Sequence, residues 1–132
     1  GKLAFVVHKE NSPREQLEIF GQLVAQDPSI LLKRVAFDFP RDMNHVCELL
    51  SSDFEILHLW DGKIVFCYDT PEQVLEHLLK SGAGTAYYDA VDPGRRNRLE
   101  NDFLSVIAHR KGLCSKYEVA HDYICCVAAK SR

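Results

Sequence analysis

Side chains able to do chemistry gather at three points of the sequence. His8-Lys9-Glu10-Asn11 closes the apolar run Leu3-Ala4-Phe5-Val6-Val7, Tyr87-Tyr88 follows a glycine-rich break at Gly82-Ala83-Gly84-Thr85, and Arg95, Arg96 and Arg98 crowd a segment opened by Asp92-Pro93. An imidazole gains and loses a proton near neutral pH, so His8 is the first candidate for acid–base work on a ligand, with Asn11 beside it. The plainer role for His8 is to end a strand and hydrogen-bond locally. At a helix start the backbone N–H groups are unpaired and carry partial positive charge, so three arginines there would form a concentrated anion site. A phosphate, a carboxylate or an acidic carrier protein would suit it. The alternative is a solvated basic turn paired with Glu100 and Asp102. His45, His58, His77, His109 and His121 are scattered and read as structural or exposed, and Trp60 as a hairpin packing residue.

Composition narrows the classes of function. The 132 residues are 46% apolar and 27% charged with a net charge of −3, the balance of one ordinary globular unit spanning residues 1–132. No apolar run is long enough to span a bilayer, and Leu3 to Val7 is closed too early by His8-Lys9-Glu10 for a secretory leader. A slightly acidic chain has no general attraction for a phosphate backbone, which argues against a nucleic-acid partner. The five cysteines, Cys47, Cys67, Cys114, Cys125 and Cys126, contain no C-x-x-C pair and read as reduced thiols of a cytoplasmic protein. His45 and Cys47 stand two residues apart on a predicted helix and face different ways, so no metal is expected.

The elements that must position these residues follow from periodicity. Leu3 to Val7 reads as a central parallel strand buried on both faces. Ser12-Pro13-Arg14-Glu15 has the pattern of a capped helix start, and Leu17, Phe20, Leu23 and Val24 continue an apolar stripe until Asp27-Pro28. Met43, Val46, Cys47, Leu49 and Leu50 give a second, short helix. Phe54–Trp60 and Lys63–Tyr68 flank Asp61-Gly62, the pair that most favours a two-residue hairpin turn. Thr70-Pro71-Glu72-Gln73 repeats the capping pattern before Val74, Leu75, Leu78 and Leu79, with Gly82 and Gly84 expected to stop that helix. Asp92-Pro93 opens a helix through Leu99, Phe103, Val106 and Ile107 that Gly112 closes, and Tyr117 to Ala129 forms a last strand. A lone parallel strand needs neighbours, so this strand-helix-helix-hairpin-helix-helix-strand order suggests part of a larger α/β sheet.

Gly1-Lys2-Leu3-Ala4-Phe5-Val6-Val7-His8 resembles the end of the G-G-x-L-A-F stretch leading into the fifth strand of class I S-adenosylmethionine-dependent methyltransferases. Phe39-Pro40 before a short helix and Leu50-Ser51-Ser52-Asp53-Phe54-Glu55 before a strand follow in the family's order. Tyr68-Asp69-Thr70-Pro71-Glu72-Gln73-Val74-Leu75-Glu76-His77-Leu78-Leu79-Lys80-Ser81-Gly82-Ala83 is similar to a segment of the malonyl-acyl-carrier-protein O-methyltransferase group that reads V-L-x-H-L-K-x-T-G. Tyr117 to Lys130 resembles the closing strand. The resemblance implies the C-terminal, substrate-side part of a Rossmann-like α/β sheet, with S-adenosylmethionine as methyl donor and a small-molecule or carrier-linked acyl-thioester acceptor. It places His8 and Asn11 at the carboxyl end of a strand, where such sheets bind ligands, and Tyr87 and Tyr88 in a substrate lid. Arg95 and Arg96 would then meet an acidic carrier. The glycine-rich loop and the ribose-binding carboxylate that hold the cofactor are absent, so the chain alone is expected to be inactive. The N-terminal half of the fold would come from another segment or chain. Two other readings remain open: a non-catalytic binding domain derived from a methyltransferase, or an unrelated small α+β ligand-binding domain.

Overall fold

The structure, a computed structural model, describes residues 1–36, 38–112 and 115–132. Its elements run in the order β1 (Lys2–His8), α1 (Arg14–Gln26), α2 (Met43–Leu50), β2 (Phe54–Tyr68), α3 (Pro71–Leu79), α4 (Gly82–Ala90), α5 (Arg96–Ala108) and β3 (Tyr117–Lys130). Short 3-10 turns occupy Pro28–Ile30 and Pro93–Arg95. The chain is therefore mixed α/β, with a three-stranded antiparallel sheet in the order β1-β3-β2.

β1 departs from expectation. It pairs antiparallel with β3, from Lys2 opposite Ala129 to His8 opposite Tyr123, and lies at the edge of the sheet rather than as a central parallel strand. Phe5 and Val7 pack inward, whereas Val6 is 71% exposed. An unbroken apolar run signals that both faces of a strand tolerate burial, but it does not supply the layers that would bury them.

Contacts divide the chain into two compact units. The first comprises 1–12, 38–64 and 120–132, and its core joins Val46 of α2 to Ile124, Cys126 and Ala128 of β3, with Phe5, Val7, Phe54 and Ile56 around them. β3, the central strand, supplies most of that core. The second unit comprises 13–37 and 65–119. Here Ile19 and Phe20 of α1, Val74 and Leu78 of α3 and Phe103 and Ile107 of α5 pack around Val119. These positions are the helical stripes legible in the sequence.

Three local readings are corrected. Asp61-Gly62 makes no hairpin: β2 runs straight through it, and no glycine has positive φ among the described residues. A methyl group at Gly62 would overlap the Tyr123 hydroxyl, so this glycine admits an aromatic ring beside the strand rather than a turn. Ser12 does not cap α1, because its Oγ accepts the backbone N–H of Asp122 at 2.8 Å, and Pro13 takes the N-cap position with no side-chain bond. Glu15 correspondingly faces Arg110 at 3.4 Å instead of returning to a cap. Finally, α3 stops at Leu79, ahead of Gly82 and Gly84 as expected, but the glycines leave no break and instead open α4, whose N-cap is Ser81. The capping box of α3 forms as read: Thr70 Oγ1 accepts from Gln73 N, and Gln73 Oε1 accepts from Thr70 N. α5 ends at Ala108, short of Gly112.

Candidate functional site

The carboxyl end of β1 brings two imidazoles together. His8 and His121 have ring centroids 5.1 Å apart, and Phe39 meets His8 in a T-shaped contact with centroids 6.4 Å apart. The register explains the meeting. His8 lies opposite Tyr123, and His121, two residues along β3, projects to the same face as Tyr123 and falls on the diagonal from His8. His8 is exposed while His121 is 7% exposed, so one ring faces solvent and the other backs it. The turn that follows is tied down by backbone bonds from Lys9 N to Asp122 O at 3.0 Å and from Glu10 N to Pro40 O at 2.9 Å. Lys9 Nζ meets Asp61 Oδ2 at 2.6 Å. Asn11 has φ 57°, a left-handed conformation that asparagine tolerates better than most residues, so its identity also serves the turn. An exposed imidazole can exchange a proton with a ligand, and the buried ring of His121 packs behind it.

The other predicted site residues lie in the second unit. Tyr87 stacks nearly parallel on Phe20, with centroids 6.2 Å apart and planes at 10°, which makes it part of the packing around α1. Tyr88 instead joins Arg96, whose guanidinium lies 4.5 Å from its ring and whose Nε donates to its carbonyl at 3.1 Å. The Glu100 carboxylate accepts from the Tyr88 hydroxyl and raises its pKa above the usual phenol value, with partial desolvation adding to the effect. Arg95 Nη1 donates to Ser29 Oγ at 2.7 Å and to Asp27 Oδ2 at 3.2 Å. The hydrogen bond from Ser29 holds the Asp27 carboxyl below its ordinary value; desolvation opposes it, and the charge of Arg95 adds to the lowering. The bond from Leu32 N to Ala90 O and that from Asp92 N to Ile30 O set this turn opposite the start of α5. Arg98 faces Asp102 at 4.0 Å. The three arginines thus each have partners of their own, Asp27 and Ser29 for Arg95, Tyr88 for Arg96 and Asp102 for Arg98.

Two groupings were not legible as sites. His121 gives no local signal; only the strand register puts it beside His8. His77 Nδ1 and the Tyr68 hydroxyl share a hydrogen bond of 2.5 Å, and the Phe66 ring lies 4.9 Å from the same imidazole. Burial pushes the His77 pKa below its ordinary 6.5. As pH falls, the unfolded chain therefore takes up this proton before the folded chain does. The stability His77 contributes is full above 6.5 and is lost as pH falls through the lower folded-state value. Urea midpoints for the wild type are expected to drop more than those of His77→Gln between about pH 7.5 and about pH 5.5. Equal drops in both proteins would remove His77 from the titration.

Cys126 is buried, and that burial, followed by the influence of Cys47, raises its thiol pKa. A thiol so placed is a poor nucleophile. Cys47, Cys67 and Cys125 are also unbridged, and the expectation for Cys114 lies outside the described residues. Among the described residues no group of three His, Cys, Asp or Glu side chains could hold a metal, and no helix is long and apolar enough to cross a membrane. The residues present do not fit S-adenosylmethionine. The turn from β1 into α1 carries no glycine, and the amides of Lys9 and Glu10 are already bonded to Asp122 and Pro40. No protein-family model and no curated protein matches the chain.

Proposed function

We propose that this chain is the acceptor-side part of an S-adenosylmethionine-dependent methyltransferase, acting on a small-molecule or acyl-thioester acceptor. The observation that carries the reading is the His8–His121 pair at the carboxyl end of β1, the segment whose resemblance to the family puts it on the acceptor side. The capped helix α3 and the long closing strand β3 add support, since both lie in the segments that resemble the family. The edge position of β1 takes away one support, the central strand expected from the sequence. An antiparallel strand beside parallel ones is common in doubly wound sheets, and the outer edge of β1 has room for such neighbours.

The chain's own residues would orient the acceptor and exclude water from it, with the donor held by residues beyond this chain. A carboxylate acceptor needs no base. A hydroxyl or amine acceptor must lose a proton, and the exposed His8 imidazole, backed by His121, would accept it. In the complete gene product, His8→Ala is expected to lower kcat for a protic acceptor by about 10²-fold, the lower end for a general base, and to leave a carboxylate acceptor within about twofold. Radiolabelled methyl transfer to both acceptor types measures this. Equal losses on both acceptors would rule out proton transfer at His8, and no transfer to any acceptor would sink the methyltransferase reading.

One observation favours a second reading. The exposed edge of β1, with Val6 open to solvent, is the kind of edge on which an extended segment of another chain can pair, as in a non-catalytic binding domain. A complete gene product that binds an extended peptide but no S-adenosylmethionine would select it.

A further inference from the structure

The second unit contains a hollow of about 270 Å³ between the end of α1, the Pro28–Ile30 turn and the first turns of α5. Its floor is apolar, formed by Leu23, Ile30 and Leu99. Its rim carries two guanidiniums, Arg95 and Arg98, and two carboxylates, Asp27 and Asp102, so the rim is formally neutral. The four charges are not equally committed. Asp27 accepts from Ser29 Oγ at 2.6 Å and from Arg95 at 3.2 Å, forming a fixed wall. Arg98 and Asp102 stand 4.0 Å apart, too far for a hydrogen bond, with side chains 86% and 53% exposed. Arg98 thus keeps its donors and Asp102 its acceptors, while Arg95 retains Nε and Nη2.

We propose that this hollow binds a free apolar α-amino acid. The ligand carboxylate would take donors from Arg98 and from the remaining nitrogens of Arg95, and the ammonium would sit on Asp102. The side chain would lie on Leu23, Ile30 and Leu99. Charge selects the zwitterion: a simple anion meets Asp27 and Asp102, a simple cation meets Arg95 and Arg98, and only a ligand carrying both signs satisfies a neutral rim. Size selects a single residue, because the volume is below that of ordinary drug-sized pockets. The inference does not rest on methyl transfer.

Methyl-detected NMR of the chain titrated with L-leucine tests it, with L-leucinamide lacking the carboxylate and N-acetyl-L-leucine lacking the ammonium. Saturable shifts of the Leu23, Ile30 and Leu99 methyls are expected for L-leucine, with affinity at least about tenfold weaker for each comparator. Arg98→Gln, at an exposed position, is expected to weaken leucine by about tenfold while leaving the thermal midpoint unchanged. Equal affinity for all three compounds, unchanged affinity in Arg98→Gln, or no saturable shift up to about 20 mM would each overturn the proposal.

Discussion

Replacing Phe103 with alanine is expected to lower the unfolding free energy by about 3–5 kcal/mol, the range for deleting a buried aromatic ring. Phe103 is 0% exposed and sits at the middle of α5, with its ring stacked on Phe20 at 4.5 Å and 15°. The cost has two parts: the transfer of the lost apolar surface, and the void left among Ile19, Val74 and Leu78, which three separate helices cannot collapse to fill. A loss of that size is comparable with the whole stability of a small domain. Urea denaturation followed by circular dichroism measures it. A loss under about 1 kcal/mol would mean that the helices do not share the core described above.

Gly84→Ala carries the second large effect, and its sign runs against helix propensity. In an ordinary helix, alanine for glycine gains up to about 1 kcal/mol. At Gly84 the new methyl would overlap the backbone carbonyl of Leu78, and backbone, unlike a side-chain tip, cannot swing aside. The turn from α3 into α4 would have to open, breaking the bond from Ser81 Oγ to Leu78 O at 2.7 Å. The expected result is a loss of about 2–3 kcal/mol, in the range of overpacked sites. Gly82→Ala is the control, because nothing lies within 4 Å of its added methyl. It is expected to be neutral or stabilising by up to about 1 kcal/mol. Equal effects at the two glycines would contradict the close approach of α3 and α4.

These two sites also show what the sequence could and could not reveal. Phe103 was legible as core because helical periodicity is local, and so was the capping box at Thr70 and Gln73, whose partners lie three residues apart. The misreadings share a different cause. Ser12 has the right type and spacing for a cap, but its hydroxyl is taken by the amide of Asp122, 110 positions away. Asp61-Gly62 has the right residues for a turn, but Lys9 holds Asp61 and Tyr123 fills the space beside Gly62. Gly84 reads as a breaker until Leu78 is seen against it. The same limit applies to the candidate site. His8 could be placed from the end of its own strand, whereas His121 became a candidate only through the β1–β3 register. The arginines near Asp92 were legible as a cluster, but their partners Asp27, Ser29 and Tyr88 belong to other segments. The single role read for all three is divided in the fold, which sets Arg96 on Tyr88 and leaves Arg95 and Arg98 at one hollow.

The acceptor-side reading is tested most directly by titrating S-adenosylmethionine calorimetrically into this chain alone and into the complete gene product. The glycine-rich loop and the ribose-binding carboxylate that would hold the cofactor are absent from these residues, so the chain alone is expected to bind weakly or not at all. The complete gene product is expected to bind with an affinity in the micromolar range, about −8 kcal/mol. Tight binding by the chain alone would overturn the account of its site, and no binding by the complete gene product would contradict the methyltransferase assignment itself.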